Sequence, residues 1–232
     1  MDLKSSLLAM PLIAVSTLSQ AAMVDVKITN LTQGIYYTPL LVTAHTADNH
    51  LFEVGQASST ALQAMAEGGD ISGLVSIANS ISAVSAENPA AGLLAPTDYT
   101  MVTDMDTGTN THLSIVAMML PTNDGFVGVD SWEIPSAAGT YTFYMNGYDA
   151  GTEANDEIVN GGGAPGAPGI PANPGMNGGT GASGVTSSSA NTNIHIHPGN
   201  VGDRDTAGGI SDVDSRIHRW LNPVAKVVVT VK

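Results

Sequence analysis

The chain has no cysteine, so disulfide bonds and thiol chemistry are both excluded for its 232 residues. It is also poor in positive charge, with fifteen acidic residues and no Lys or Arg between Thr29 and Asp203, and its formal net charge is -14. A long acidic section repels phosphate backbones, so nucleic acid is not an expected partner. Acidic surfaces either keep an exported protein soluble or bind cations, and composition leaves both explanations open.

The sequence also lacks the short motifs of common catalytic sites. It contains no Gly-x-Ser-x-Gly nucleophile turn, no His-Glu-x-x-His zinc motif and no Gly-rich loop with a phosphate-binding Lys. We therefore expect a protein that is not an enzyme.

The first residues have the pattern of a signal peptide. Lys4 supplies a positive start, residues 7–18 are mainly apolar, and Ser19-Gln20-Ala21 offers small residues for cleavage. The apolar stretch is too short to span a bilayer, and no later stretch is long and apolar enough, so we do not expect an integral membrane protein. The prediction is a signal peptide over residues 1–22, cleaved near Ala21 or Ala22, and a secreted or periplasmic domain over residues 23–232.

Alternating and β-branched residues predict a mainly β domain. Val24, Val26 and Ile28 alternate with polar residues, and residues 227–231 form a β-branched run near the other end, so these two segments are expected to be strands that pair. Residues 112–120 have apolar side chains on both faces, which is typical of a central strand covered on both sides.

Two segments interrupt the β pattern. Residues 57–83 contain two helical patterns, the first of which ends at Gly68-Gly69, and we expect them to form a small insertion that packs on a sheet. Residues 160–189 are dominated by Gly, Pro and Ser, and this composition predicts a long flexible loop.

Two acidic blocks carry the main functional signal. Each follows a predicted strand, and they read Asp124-Gly125-Phe126-Val127-Gly128 and Asp149-Ala150-Gly151-Thr152-Glu153. Carboxylates on adjoining loops can converge into an oxygen cage that suits calcium, although an Asp-Gly pair is often only a turn. On the residues alone, both interpretations remain open.

Together these blocks resemble the spondin amino-terminal domain family. In that family a Pro-Ser-Pro-Asp-Trp-Phe-Val-Gly type segment precedes an Asp-Ala-Gly-Thr-Asp segment, and the match here covers about forty residues, 112–153. Gly125 replaces the usual Trp, and Glu153 replaces the usual Asp. The chain also lacks the cysteines and the following thrombospondin-type repeats of the animal relatives.

The resemblance implies an all-β fold, specifically an antiparallel β-sandwich similar to calcium-dependent lipid-binding domains. It also implies one calcium ion in the two acidic loops. Carried over by position, the metal ligands are Asp124, Asp149 and Glu153.

Two further groups of residues are weaker candidates for metal ligands. Asp212 and Asp214 lie in a Gly-rich acidic stretch that also contains Asp203 and Asp205, but the nearby Arg204, Arg216 and Arg219 favour surface ion pairs. His195 and His197 have the spacing that places both rings on one face of a strand, which zinc or copper can use. Two half-exposed histidines without a metal are the expected alternative.

From these observations we expect a secreted or periplasmic calcium-binding module for adhesion or surface recognition. Its partner is expected to be an extracellular glycan, an envelope component or a protein ligand. Two alternatives remain: a secreted metal-dependent enzyme or copper- or zinc-binding protein that uses His195 and His197, and a structural surface subunit.

Overall fold

The computed structural model describes residues 22–176 and 178–232. The predicted signal peptide lies outside these residues, apart from Ala22. Ten strands and two helices form within the described residues. The helices are α1 (Thr60–Gly68) and α2 (Ser72–Ser80), and the strands are β1 (Met23–Asn30), β2 (Tyr36–Tyr37), β3 (Leu41–His45), β4 (Val84–Glu87), β5 (Tyr99–Asp106), β6 (His112–Leu120), β7 (Gly125–Glu133), β8 (Gly139–Asp149), β9 (His195–Ile196) and β10 (Ala225–Val231).

The strands form one antiparallel sheet that folds back on itself as a β-sandwich. Its order is β4-β3-β6-β7-β8-β10-β1-β5, with β2 added to β6 and β9 added to β8. Strand β8 belongs to both layers, because it pairs with β10 through Met145 and with β7 from Asn146 onward. The expected all-β fold with a small helical insertion is confirmed.

The two ends of the described chain pair as the sequence predicts. Strand β10 lies between β1 and β8, and Val26 faces Val229 in the ladder of β1 and β10. Val24, Val26 and Ile28 are fully buried, because alternate residues of a strand point to the same face. They pack between the layers with the inward residues of β6, which are Leu113, Ile115, Ala117 and Met119.

The opposite face of β6 is covered by the helices. Val116 and Met118 of β6 pack with Leu62 and Met65 of α1 in a second apolar cluster. Strand β6 is therefore covered on both sides, as its sequence predicts. Neither helix of the described part of the chain is long and apolar enough to cross a membrane.

The caps of α1 follow local sequence signals. The hydroxyl of Ser59 accepts a hydrogen bond from the N–H of Leu62 at 3.1 Å, which satisfies a free donor of the first turn. The helix ends at Gly69, whose left-handed φ of 73° favours glycine.

The Gly/Pro/Ser-rich segment, residues 160–189, is attached to the domain at several points. The N–H of Gly166 donates to Glu67 at 2.6 Å, and the N–H of Thr180 donates to Asp212 at 2.7 Å. Ile170 is fully buried. The expected flexibility stays a prediction, but these contacts hold parts of the segment against the sandwich.

Candidate functional site

The pairing of β7 with β8 brings the two acidic blocks together. Gly125 faces Asp149 in the ladder, and the N–H of Ala150 donates to the carbonyl of Asp124 at 3.2 Å. Asp124 and Asp149 therefore lie side by side at the same end of the sandwich, and both are fully buried. The expectation that these two turns adjoin is confirmed by this geometry.

Asp124 is held by the second acidic loop. Its Oδ2 accepts hydrogen bonds from the N–H groups of Thr152 and Glu153 at 2.7 and 3.1 Å, and from the Thr152 hydroxyl at 3.2 Å. Its Oδ1 is buried and has no hydrogen-bond partner. Burial and the neighbouring charge of Asp149 raise the pKa of Asp124 to about 6, because both disfavour the ionised form.

Asp149 uses both carboxylate oxygens within its own loop. Oδ1 accepts from the N–H of Gly151 at 2.8 Å, and Oδ2 accepts from the side-chain amide of Asn155 at 2.6 Å. His195 Nε2 lies 3.7 Å from Oδ2. Asp149 is therefore held in place by neutral donors, with one histidine as the nearest potential cation.

Glu153 extends away from the pair towards the Gly/Pro/Ser-rich segment. Its Oε2 accepts from the N–H of Gly169 at 3.0 Å and from the Asn123 amide at 3.4 Å, while Oε1 is buried without a partner. Burial, with a further contribution from the charges of Glu67 and Asp124, raises the pKa of Glu153 to about 7. Glu153 thus has one buried oxygen without a partner, and its environment favours a proton or a cation there.

The arrangement partly fits the expected calcium ion. Two buried carboxylates lie next to each other, and Asp124 and Glu153 each have one oxygen that accepts no hydrogen bond. However, no three His, Asp or Glu side chains within residues 22–176 and 178–232 are already placed to hold a metal ion. A three-carboxylate site therefore requires the Glu153 side chain to leave Gly169 and turn towards Asp124.

Sequence reasoning missed the polar residues that organise these loops. The side-chain amide of Asn123 donates to Asp156 at 2.8 Å, and its oxygen accepts from the N–H of Glu157 at 3.0 Å. Glu157 is buried, and its carboxylate accepts from the N–H groups of Val201 and Gly202 at 2.6 and 2.8 Å. The signal was present as the acidic residues at 156 and 157, two residues after the end of the second block.

The histidine pair lies beside the same end of β8, but its two members differ. His195 is partly exposed, whereas His197 is buried, so the expectation of two half-exposed histidines is wrong for His197. Burial lowers the pKa of His197 to about 4, and the nearby Asp149 only partly opposes this shift. His197 Nδ1 accepts from the N–H of Gly199 at 3.0 Å, so the neutral ring carries its proton on Nε2, which is not available to a metal in that form.

The second acidic stretch is mostly held by backbone donors rather than by arginines. Asp212 accepts from the N–H groups of Val159, Thr180 and Ala182, with N to O distances between 2.7 and 3.2 Å. Asp214 does pair with Arg216, at 2.5 Å. The expectation of ion pairs therefore holds for Asp214 and is wrong for Asp212, because folding brings distant N–H groups to it.

The family of this chain is shown by its similarity to known proteins. No curated protein was found to match the chain. The Spondin_N family model matches residues 29–158, which is more than half of the chain and includes both acidic blocks. This family consists of non-enzymatic domains that are typical of secreted proteins. Strand β10 follows the matched residues in the chain but lies between β1 and β8 in the sheet, so the sheet includes residues beyond the family match. The chain belongs to the spondin amino-terminal domain family.

Proposed function

We propose that this protein is an exported, non-catalytic recognition module whose acidic end binds calcium. The observation that carries the proposal is the burial of Asp124 and Asp149 side by side, with no Lys or Arg paired to either of them among the described residues. Buried carboxylates are costly unless they are paired, protonated or bound to a metal. A divalent cation offsets this cost at neutral pH.

The proposed ligands are Asp124 Oδ1, a carboxylate oxygen of Asp149 and, after its side chain turns, Glu153. Calcium takes six to eight oxygen ligands, so backbone carbonyls and water would complete the shell. The ion would supply the positive charge that this end of the sandwich lacks. Asn155, which donates to Asp149, and Thr152, which donates to Asp124, keep the two aspartates in place.

The position of these loops supports a role of the protein in surface recognition. The second acidic loop lies next to the Gly/Pro/Ser-rich segment, because Glu153 accepts from the N–H of Gly169, and Thr152 of this loop is partly exposed. Ion binding would stiffen this end, because carboxylates that repel each other are then held by a common partner. The role as an adhesion or recognition module is supported by membership of a family of non-enzymatic, secreted domains.

The test is calcium titration of the chelator-treated protein by calorimetry, with Asp149→Asn and Asp124→Asn as variants. The matched control is Asp48→Asn, since Asp48 is an exposed acid outside both acidic blocks. We expect heat of binding for the wild-type protein and the control, and its loss in both site variants. Absence of calcium binding to the wild-type protein would overturn the proposal. Zinc binding that is lost in His195→Ala would favour the histidine alternative.

A further inference from the structure

A cleft of about 560 Å³ lies beside the second acidic loop. One wall is formed by the second acidic loop and the residues after it, from Gly151 to Ile158. The opposite wall is formed by residues 183–192, and Gly166 and Pro168 complete the lining. The volume lies within the range of small-molecule binding sites.

The lining is rich in hydroxyl groups. Of its fifteen described residues, seven are Ser or Thr, and none is Lys, Arg, His or aromatic. Ser187 and Ser188 are exposed, and their hydroxyls make no hydrogen bond to another described residue. The cleft therefore presents free donors and acceptors to a ligand.

The carboxylate of Asp156 adds a strong acceptor to the wall formed by residues 151–158. Asp156 is half-buried, with Oδ1 accepting from Asn123 and from the N–H of Ile158. A carboxylate that accepts from ligand hydroxyls forms charge-assisted hydrogen bonds, which are stronger than neutral ones.

This chemistry selects one class of ligand. Anionic ligands meet the carboxylate of Asp156 and no base, and a purely apolar ligand leaves the hydroxyl groups of the lining without partners. A ligand with many hydroxyl groups, apolar C–H faces and no charge matches a lining of hydroxyl groups, apolar surface and one carboxylate. We propose that the cleft between residues 151–158 and residues 183–192 binds a neutral saccharide.

The inference rests on the proposed function, because the loop that holds Asp149 and Glu153 also forms one wall of the cleft. The other wall is made by residues that lie beyond the family match, which ends at residue 158. The cleft therefore combines one wall inside the family match with one wall outside it.

The test is binding of neutral trisaccharides, namely maltotriose, cellotriose, mannotriose and N-acetylchitotriose, to the calcium-loaded full-length mature chain by calorimetry. Trigalacturonate and spermidine are the anionic and cationic comparisons. Ser187→Phe fills the cleft from an exposed position. Ala190→Phe is its matched control, because Ala190 is exposed on the same segment but does not line the cleft.

We expect at least one neutral trisaccharide to bind the wild-type protein and Ala190→Phe, and to lose binding in Ser187→Phe. Binding of only trigalacturonate or spermidine, binding of no probe, or unchanged saccharide binding in Ser187→Phe overturns the inference. Calcium titration of the same samples separates the two proposals. Calcium binding without saccharide binding overturns the cleft alone, and saccharide binding without calcium binding overturns the calcium module alone.

Discussion

Asp124 and Asp149 come from different strands but share one buried corner, because Gly125 faces Asp149 in the ladder of β7 and β8. The N–H of Ala150 donates to the carbonyl of Asp124 at 3.2 Å, so the two loops are also joined by their backbones. This corner combines high local negative charge with low solvent exposure. Its response to calcium and to pH can therefore be predicted.

Calcium is expected to raise the melting temperature of the protein. A ligand that binds only the native state stabilises it by about 2.7 kcal/mol at one hundred times its dissociation constant, which is roughly 5–10 °C for a chain of this size. Asp149→Ala removes one proposed ligand and should abolish the increase, while Asp48→Ala should retain it. Thermal scans with calcium and with chelator measure the effect. Equal shifts in both variants would contradict the proposed site.

Asp124→Asn should become more stable relative to the wild-type protein as pH rises, when calcium is absent. The pKa of Asp124 is about 6 in the folded protein and near its usual value of 3.8 in the unfolded chain, so the folded state binds this proton more tightly. The stabilisation from protonation is complete below pH 4 and is lost as pH rises through 6. Asparagine does not ionise. The difference in the free energy of unfolding between the variant and the wild-type protein should therefore change by on the order of 3 kcal/mol.

Urea unfolding of both proteins between pH 4 and 7, in the presence of a chelator, measures this change. Because the other ionisable groups are common to both proteins, their contributions largely cancel in the difference. A difference in stability that does not vary with pH would show that the pKa of Asp124 is not raised in the folded protein.

The stability of His197→Gln relative to the wild-type protein should show the opposite dependence on pH. The pKa of His197 is about 4 in the folded protein, below its usual value of 6.5 in the unfolded chain, so the unfolded chain binds this proton more tightly. The wild-type protein therefore keeps the full contribution of neutral His197 above pH 6.5 and loses it as pH falls to 4. The variant should gain relative stability on acidification, and urea midpoints between pH 4 and 7 test it.

Glu157→Gln should destabilise the protein, because its carboxylate accepts three hydrogen bonds in a buried position. The donors are the N–H groups of Val201 and Gly202 and the hydroxyl of Ser211. The side-chain NH2 of Gln would face at least one of these N–H or O–H groups and could not accept its hydrogen bond. A buried donor that is left without an acceptor costs about 1–3 kcal/mol. Glu87→Gln is the control, since Glu87 is exposed. Equal urea midpoints for the two variants would contradict this assignment.

Gly128→Ala should destabilise the sandwich through overpacking. A Cβ at Gly128 would lie 2.9 Å from Cε1 of Phe52 and 3.3 Å from the carbonyl of Ile115. Inserting a methyl group into a packed core typically costs about 1–3 kcal/mol. In a double-mutant cycle, Phe52→Leu should recover part of this loss, because it removes the ring that clashes. Additive effects of the two substitutions would show that the clash is absorbed elsewhere.

Much of the fold could be predicted from local patterns. The alternation at Val24, Val26 and Ile28 identified β1, and apolar residues on both faces identified β6 as a central strand. The helix that ends at Gly69 followed from its capping glycine. These features depend on side-chain periodicity and on backbone preferences, which act over a few residues.

The candidate site was only partly predictable. The acidic blocks and their family resemblance pointed to Asp124, Asp149 and Glu153, and the structure does bring the two aspartates together. The burial of His197 and the backbone donors of Asp212 were not predicted. Both depend on contacts between residues far apart in the chain, about which local patterns carry no information.

The sequence by itself determined the β character of the chain, the helical insertion and the long acidic section that contains no lysine or arginine, because these follow from residue type and spacing. Only the tertiary structure decided that β8 crosses between the two layers, that Asp124 and Asp149 are buried next to each other, and that residues 183–192 form the far wall of a cleft. Burial, pKa and cavity shape depend on strand register and long-range packing, so they arise only when the chain is folded.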